Sequence, residues 1–272
     1  MPYIQLKDVS FTYSNGFVAV DGLNLSIEEG ENVAIIGQNG AGKTTAVKMI
    51  NGLGKPSGGI VMVGGMDTRD YTTAQISRVA GYVFQNPDDQ IFHSTVLSEV
   101  EFGPKVLQFD EEKKKRLINH ALEVTGLSGQ RETNPYDLPL SIRKFITIAS
   151  IIAMDSKVMI FDEPTAGQDL QGARRLSGIL KSLHEQGKTV ITITHDMEFV
   201  AENFSRVIVM ANKKIVASGT PREIFWDFDA LHEAMLRQPY VSRLCHALGL
   251  PGNIIHMRDA VDAIADRARL KE

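Results

Sequence analysis

The sequence predicts an α/β fold in which a mainly parallel sheet is interrupted by an inserted helical subdomain and followed by a small C-terminal helical domain. Three observations support this fold class. Short apolar runs alternate with helical patterns, which is typical of a parallel sheet covered by helices on both faces. Residues 95–154 contain helical patterns alone, and the pattern after Gly219 is helical again.

The strands are predicted from short runs of apolar and β-branched residues. We predict strands over residues 3–9, 33–36, 60–63, 81–84, 158–161 and 189–193, and a hairpin over 206–210 and 213–217 that turns at Asn212.

The helices are predicted from apolar residues that recur with helical periodicity between these strands. We predict them over residues 43–52, 143–154, 171–186 and 197–204, with a mostly helical stretch over 95–126. These positions place residues 1–219 in one domain, with the helical subdomain at about 95–154, and residues 220–272 in an appended helical extension.

The composition is that of a globular chain that can bury a large core. Of its 272 residues, 43% are apolar and 23% are charged, and the formal net charge of −4 does not favour nucleic acid as a partner. The single cysteine, Cys245, allows no disulfide within the chain and is expected to be a small buried residue. No run approaches about 20 apolar residues, and residues 1–8 resemble a strand rather than a signal peptide, so we expect no membrane span.

A phosphate-binding loop lies between the strand at 33–36 and the helix at 43–52. Its sequence matches G-x-x-x-x-G-K-[ST] at each fixed position. Glycines let backbone N–H groups point at phosphate oxygens, and the helix start adds the positive end of its dipole. We expect Lys43 to contact the β and γ phosphates of ATP and the Thr44 hydroxyl to bind Mg²⁺. We therefore predict a P-loop nucleotide-binding core with the binding residues Gly37, Gln38, Asn39, Gly40, Ala41, Gly42, Lys43, Thr44 and Thr45.

Two acids follow the apolar strand at 158–161. Asp162 and Glu163 stand at its carboxyl end, which is where parallel sheets bind their ligands. We expect Asp162 to hold Mg²⁺ through water and Glu163 to act as the general base for the attacking water. Acids at a strand end are often only solvated, but beside a phosphate-binding loop they indicate ATP hydrolysis.

Together with several surrounding motifs, these residues resemble the ATP-binding cassette (ABC) family over residues 3 to about 219. The segment from Asp162 to Asp169 resembles the second nucleotide motif of that family followed by its dimer-contact loop. The resemblance implies that His195 contacts the γ-phosphate, that Gln85 senses Mg²⁺ and the attacking water, and that adenine stacks on Tyr13. It thereby implies the catalytic residues Glu163, His195 and Gln85 and the metal ligands Thr44, Gln85 and Asp162.

A narrower resemblance is to the ATPases of energy-coupling-factor transporters, including cobalt-type ones. It is carried by residues 83–92, by residues 101–104 and by the tail that begins at Gly219. It implies uptake of a vitamin or of cobalt or nickel, with a membrane coupling protein and a substrate-binding membrane protein as partners. It also implies a peripheral position at the cytoplasmic face of the cell membrane.

The signature motif of the family, Leu-Ser-Gly-Gly-Gln, is not found where the last helix of the subdomain should begin. One register matches Leu140-Ser141 to the Leu-Ser pair and replaces the glycines by Ile142 and Arg143. The gapless register, which we favour, puts Pro139 at the serine and Leu140 and Ser141 at the glycines. Side chains there should hinder a close backbone approach to phosphate, and Pro139 removes one donor.

This departure concerns the nucleotide of the partner, because cassettes of the family pair head to tail. We therefore expect an asymmetric heterodimer with a second ABC ATPase that supplies an intact signature to the site of this chain. The alternative is that Ser141 and the local backbone suffice for hydrolysis in both sites. Dimer contacts are assigned to Pro139, Leu140, Ser141, Ile142 and Asp169.

Three other classes of protein share part of this pattern. A soluble ABC ATPase acting on nucleic acid or ribosomes has the same nucleotide motifs but commonly a coiled-coil insertion or a second cassette, which these 272 residues lack. A GTPase needs an Asn-Lys-x-Asp element, and residues 212–215 lack its acid. A non-enzymatic ATP-dependent clamp has no need of Glu163. Because the first of these classes lacks its usual features here and the net charge is −4, we expect no nucleic-acid partner.

Overall fold

The computed structural model describes residues 2–250 and 252–269. The strands are β1 (Ile4–Thr12), β2 (Val18–Ile27), β3 (Asn32–Ile36), β4 (Gly58–Val63), β5 (Met66–Asp67), β6 (Ala80–Val83), β7 (Val158–Asp162), β8 (Thr189–Ile193), β9 (Arg206–Ala211) and β10 (Lys214–Gly219). The helices are α1 (Lys43–Ile50), α2 (Thr73–Ser77), α3 (Val96–Val106), α4 (Glu111–Val124), α5 (Leu140–Ala153), α6 (Leu170–Glu185), α7 (Met197–Asn203), α8 (Pro221–Ile224), α9 (Phe228–Glu233), α10 (Tyr240–Ala247) and α11 (Met257–Arg269). Predictions that fall on Met1, Pro251 and residues 270–272 lie outside the described residues.

The larger sheet carries the functional loops. Among the described residues it has six strands in the order β10-β9-β3-β8-β7-β6, and β10 is the one that runs antiparallel to its neighbour. Strands β3, β7 and β8 are buried at every residue, and their side chains alternate between two core clusters. The carboxyl ends of these strands meet at one edge, which confirms the prediction of a mainly parallel sheet.

A second, antiparallel sheet is not foreseen by the sequence patterns. Within the described residues it has four strands in the order β2-β1-β4-β5. Strand β2 was missed because Asp21 and Gly22 interrupt its apolar run after Val20. Its second half does alternate between buried and exposed residues from Leu23 to Ile27, as a strand with one buried face should, and it pairs with the preceding strand β1, in which Ile4 faces Ile27.

The helical subdomain expected at about 95–154 consists of α3, α4 and α5. Phe145, Ile146 and Ala149 of α5 are buried in the core cluster that also contains Phe161 of β7. Helix α5 begins at Leu140 rather than at the predicted residue 143. Its N-cap is Pro139, with φ at −56°, and a proline is tolerated there because its missing N–H is not needed at a helix start.

The residues after β10 pack in two parts. Ile224 and Phe225 are buried in the main core, whereas α10 and α11 form a small separate cluster around Cys245, Leu250 and Ala260. The predicted burial of Cys245 is confirmed. The domain boundary after residue 219 stays a prediction, since the first part of the extension belongs to the main core. Across residues 2–250 and 252–269, every helix is too short or too polar to span a membrane.

Candidate functional site

The carboxyl ends of β3, β7 and β8 border a cavity of about 490 Å³. It brings together most of the predicted site residues. Its lining includes residues 39–45 of the phosphate-binding loop with Tyr13, Gln85, Asp162, Glu163 and His195. The two remaining residues of the loop, Gly37 and Gln38, contribute their carbonyl groups to Lys43 instead.

The phosphate-binding loop requires glycine at two close approaches. At Gly42 φ is 97°, and a Cβ would lie 2.5 Å from the carbonyl oxygen of Ala19. A Cβ at Gly37 would collide with the carbonyl oxygen of Met210 in β9. Gly42 is also the N-cap of α1, and no side chain of the described residues caps that helix. The first backbone N–H groups of α1 are therefore available to phosphate oxygens.

Lys43 is held inside the loop. Its ammonium group donates to the carbonyl oxygens of Gly37 at 2.7 Å and Gln38 at 2.9 Å, and the residue is buried. Burial lowers the pKa of Lys43, and the nearby carboxylates of Glu163 and Asp162 oppose this shift. A phosphate group in the cavity would give this buried cation an anionic partner, which is a stronger acceptor than a neutral carbonyl.

The two carboxylate oxygens of Asp162 differ in their hydrogen bonding within the described residues. Its Oδ2 atom accepts hydrogen bonds from the Tyr82 hydroxyl at 2.6 Å and from the Thr44 hydroxyl at 3.2 Å. Burial raises the pKa of Tyr82 far above its ordinary value, so the phenol remains a donor. The Oδ1 atom of Asp162 is buried and has no hydrogen-bond partner in the described part of the chain. Such an orphaned oxygen beside Thr44 fits a hydrated Mg²⁺, which needs oxygen ligands and water acceptors.

Glu163 and His195 lie in contact at the ends of neighbouring strands. His195 Nε2 is 3.1 Å from Glu163 Oε1. Burial raises the pKa of Glu163 to about 7, and burial lowers the pKa of His195. The backbone of Glu163 has φ of 49°, and its N–H donates to the carbonyl of Ile193 at 2.9 Å. A carboxylate whose pKa lies near neutrality is suited to accept a proton from water.

Sequence reasoning missed a buried lysine behind Glu163. Lys144 on α5 is 3% exposed, and its ammonium group donates to the carbonyl oxygens of Glu163 at 2.6 Å and Ala166 at 3.2 Å. Burial lowers its pKa, against the pull of the Glu163 and Asp162 carboxylates. A buried ammonium is costly unless it is hydrogen-bonded, so these two bonds fix the turn at residues 163–166. The signal in the sequence is a lysine on a mostly apolar helix.

Two aromatic rings line the cavity where one was expected. Tyr13 and Phe17 are stacked, with centroids 6.4 Å apart and planes at 27°, and both line the cavity. The Tyr13 hydroxyl lies 3.1 Å from Thr45 Oγ1. Both side chains are partly exposed, and Lys213 Nζ lies 5.0 Å from the centre of the Phe17 ring, so the cavity offers an aromatic surface for a nucleotide base. Phe17 escapes sequence analysis because it immediately precedes β2, the strand that was not foreseen.

The residues assigned to dimer contacts lie elsewhere, at the starts of α5 and α6. Leu140, the first residue of α5, is 49% exposed. The Ser141 carbonyl accepts a hydrogen bond from Gln168 Nε2 at 3.0 Å, so the two segments touch. The Asp169 side chain caps α6. All five assigned residues are described and lie outside the lining of the nucleotide cavity: Pro139, Leu140, Ser141, Ile142 and Asp169.

Comparison with known proteins gives one consistent family. A family model described as ABC transporter matches residues 20–166. The chain is 37% identical to the energy-coupling factor transporter ATP-binding protein EcfA of Methanothermobacter thermautotrophicus, over 95% of this chain and 84% of that relative. It is 43% identical, over 90% of its length, to a putative ABC transporter ATP-binding protein of Caldanaerobacter subterraneus, and it spans 43% of that longer relative.

Solved structures share the fold. CbiO1 of Clostridium perfringens, part of the ABC transporter complex cbiONQ, superposes with a TM-score of 0.76 and 30% identity over 92% of this chain and 99% of that one. A dimeric ATP-binding cassette in a post-hydrolysis state, bound to ADP and phosphate, superposes with a TM-score of 0.73 and 28% identity, over 80% of this chain and 99% of that one. These similarities confirm the predicted fold class.

Proposed function

This chain belongs to the ABC transporter family of ATP-binding proteins, and from that premise we propose that it hydrolyses ATP to drive uptake through an energy-coupling-factor transporter. Nucleotide binding and hydrolysis are properties of the family, whereas the transporter class, its cargo and its partners are inferred. The observation that carries the proposal is the convergence of the phosphate-binding loop, Asp162, Glu163 and His195 on one cavity.

The cavity supports binding of ATP with its phosphates in the loop. The uncapped start of α1 and the Lys43 ammonium would bind the β and γ phosphates, and Tyr13 would stack against adenine. Thr44, Gln85 and Asp162 would hold Mg²⁺. When bound, that ion draws negative charge from the phosphate oxygens and so favours the displacement.

Glu163 is suited to accept the proton of the attacking water. His195 holds one of its carboxylate oxygens at 3.1 Å, which leaves the other for the water. The water oxygen attacks the γ-phosphorus in line, its proton passes to Glu163, and ADP departs as the bond from the γ-phosphorus to the bridging oxygen breaks. A pKa of about 7 leaves a large fraction of Glu163 ionised at neutral pH.

A groove away from the nucleotide supports contact with a membrane partner. It has a volume of about 410 Å³, lies between α2, α3 and α5, and is lined by Phe92, Phe102, Val106 and Met154 among others. Phe92 is 64% exposed. An apolar groove of this size suits the apolar face of a helix, which we assign to the membrane coupling protein.

The transporter class is inferred from the relatives. EcfA is named as the ATP-binding protein of an energy-coupling factor transporter, and CbiO1 is part of the cbiONQ complex. By this inference the chain is a peripheral subunit at the cytoplasmic face, works with a coupling protein and a substrate-binding membrane protein, and serves uptake of a vitamin or of cobalt or nickel. A role on nucleic acid or ribosomes has less support, since the net charge is −4.

The start of α5 supports an asymmetric pair of cassettes. A dimeric cassette with this fold occurs with ADP and phosphate bound. In a head-to-tail pair the start of α5 would face the partner's nucleotide, where Pro139 offers no N–H and Leu140 adds a side chain. The nucleotide site on this chain would meet an intact signature from a second ABC ATPase and would hydrolyse ATP. The opposite site, formed by the partner's nucleotide and the start of α5 of this chain, would hydrolyse ATP poorly.

Affinity purification from native membranes tests the proposal. The chain is tagged at one end, the membranes are dissolved in mild detergent, and the proteins that co-purify are identified. We expect a second cassette with a Leu-Ser-Gly-Gly-Gln motif together with integral membrane proteins. A Phe92→Glu variant serves as the matched control, because a charge in the groove should remove the membrane proteins but retain the second cassette.

Two other results would overturn parts of the proposal. Recovery of the chain with DNA or ribosomes and without membrane proteins would contradict the transporter assignment. Recovery of membrane proteins with this chain as the sole cassette would contradict the asymmetric pair and leave the transporter assignment in place.

A further inference from the structure

Tyr82 connects two strands of the larger sheet at the cavity. It lies on β6 opposite Ile160 of β7, and both side chains belong to the same core cluster. Because side chains alternate along a strand, Asp162 emerges on the same face, two residues beyond Ile160. The Tyr82 ring is 4% exposed and packs edge-on against Phe84 at 5.1 Å. This packing fixes the hydroxyl group beside the Asp162 carboxylate.

The hydrogen bond between them is short. The Tyr82 hydroxyl donates to Asp162 Oδ2 at 2.6 Å, which lies in the range of charge-assisted O–H···O⁻ bonds. Rotation of the carboxylate would break this bond. The Oδ1 atom, which is buried and has no partner among residues 2–250 and 252–269, therefore keeps one orientation.

We propose that Tyr82 is a positioning residue for the magnesium ion: by holding Oδ2, it orients Asp162 so that Oδ1 receives the metal or its water ligand. The inference rests on the proposed function in one respect, the binding of Mg²⁺ with ATP in this cavity. Outer hydrogen bonds that orient metal-binding carboxylates matter, because their loss typically lowers metal affinity about 10- to 100-fold.

Thr44 does not duplicate this role. Its hydroxyl also donates to Asp162 Oδ2, but at the longer distance of 3.2 Å, and its oxygen is itself an expected metal ligand. The Tyr82 hydroxyl is buried, and its one described hydrogen bond is to Asp162. Orientation of the carboxylate is therefore assigned to Tyr82, and coordination to Thr44.

The test measures how strongly a metal ion strengthens nucleotide binding. Tyr82→Phe removes the hydroxyl and keeps the buried ring. The dissociation constant of an ATP analogue with an imido bridge between its β and γ phosphates is measured for the full chain, once with excess Mn²⁺ and once with EDTA. The ratio of the two constants is the contribution of the metal, because binding linkage is reciprocal. In Tyr82→Phe we expect this ratio to shrink about 10-fold, with the constant in EDTA unchanged.

Thr125→Val is the matched control. The buried Thr125 is the C-cap of α4, and its hydroxyl donates to the Ala121 carbonyl at 2.6 Å. This variant therefore also loses a buried hydroxyl bond, and its metal-dependent ratio should remain that of the wild type. An unchanged ratio in Tyr82→Phe, or an equal loss of affinity with Mn²⁺ and with EDTA, overturns the inference. A wild-type chain with no metal-dependent gain would show instead that the metal assignment in the proposed function is wrong.

Discussion

The starts of α1 and α5 share one property and differ in another. Neither helix is capped by a side chain of the described residues, whereas α2, α3, α4, α6 and α7 each are. An uncapped helix start keeps backbone N–H donors and the positive end of its dipole for an anion from outside. Both starts therefore leave backbone donors open, as the start of α10 does too, so the residues around each start decide whether phosphate can bind there.

The difference lies in the residues that precede and open each helix. Gly42 lets the backbone of α1 approach a phosphate, and the Lys43 ammonium adds a charge. Pro139 and the exposed Leu140 instead place a ring and a side chain at the start of α5. By our proposal, one chain thus keeps a complete hydrolytic site of its own and presents an altered surface to the site of another chain.

The largest effect is expected when the proposed general base is removed from the chain's own nucleotide site. We expect Glu163→Gln to lower the rate of ATP hydrolysis by about 10²- to 10⁴-fold, because the general base is lost, and to leave ATP affinity near that of the wild type. Steady-state phosphate release and equilibrium nucleotide binding measure the two effects. Glu185→Gln, at an exposed position on α6, should change neither, and a wild-type rate in Glu163→Gln would contradict the assignment of the base.

The next test repairs the altered helix start. The triple variant Pro139→Ser, Leu140→Gly and Ser141→Gly should raise ATP hydrolysis by the chain alone about 10²-fold, since one restored donor to a developing anion is worth 10²- to 10³-fold. Glycine costs a helix about 1 kcal/mol each, so a lower free energy of unfolding in the same variant would exclude stabilisation as the cause. A rate equal to that of the wild type would show that the start of α5 does not limit turnover.

Lys144 joins the two regions, because it lies on α5 and holds the backbone of Glu163. We expect Lys144→Met to lower kcat roughly 10- to 100-fold through displacement of the general base, with little change in the KM for ATP. The two unpaired carbonyls should also lower the free energy of unfolding by about 1–3 kcal/mol each, as chemical denaturation would show. Lys181→Met, at an exposed lysine on α6, is the control and should leave kcat unchanged. An unaltered kcat in Lys144→Met would contradict the claim that Lys144 positions Glu163 for catalysis.

The smallest effect is expected at the base-binding end of the intact site. Tyr13→Ala should raise the KM for ATP about 10-fold, since stacking of a base on an aromatic ring is worth about 1–3 kcal/mol. Tyr13→Phe keeps the ring and should retain the wild-type KM, which separates stacking from the contact between the Tyr13 hydroxyl and Thr45. Equal effects of the two substitutions would assign the contribution to the hydroxyl.

Much of the cavity was predictable because its residues stand at fixed positions next to buried strands. A loop after β3, two acids at the end of β7 and a histidine after β8 must meet when those strands are parallel neighbours. The partners of Lys144 and Tyr82 were not predictable, because each side chain acts from within an element on a residue far away in the chain. Phe17 and the antiparallel sheet were missed for a different reason: β2 was overlooked although its second half alternates as a strand, and its pairing with β1 was therefore not anticipated.

The sequence by itself determined the family, the fold class, the residues of the phosphate-binding loop, and the loss of both glycines from the start of α5. These are local properties of residue type and spacing. The tertiary structure alone decided that Asp162 has one held and one orphaned oxygen, that Lys144 fixes the turn at Glu163, and that the pKa of Glu163 is near 7. The physical reason is that burial and hydrogen bonding depend on distances between strands and helices, which a linear pattern does not contain.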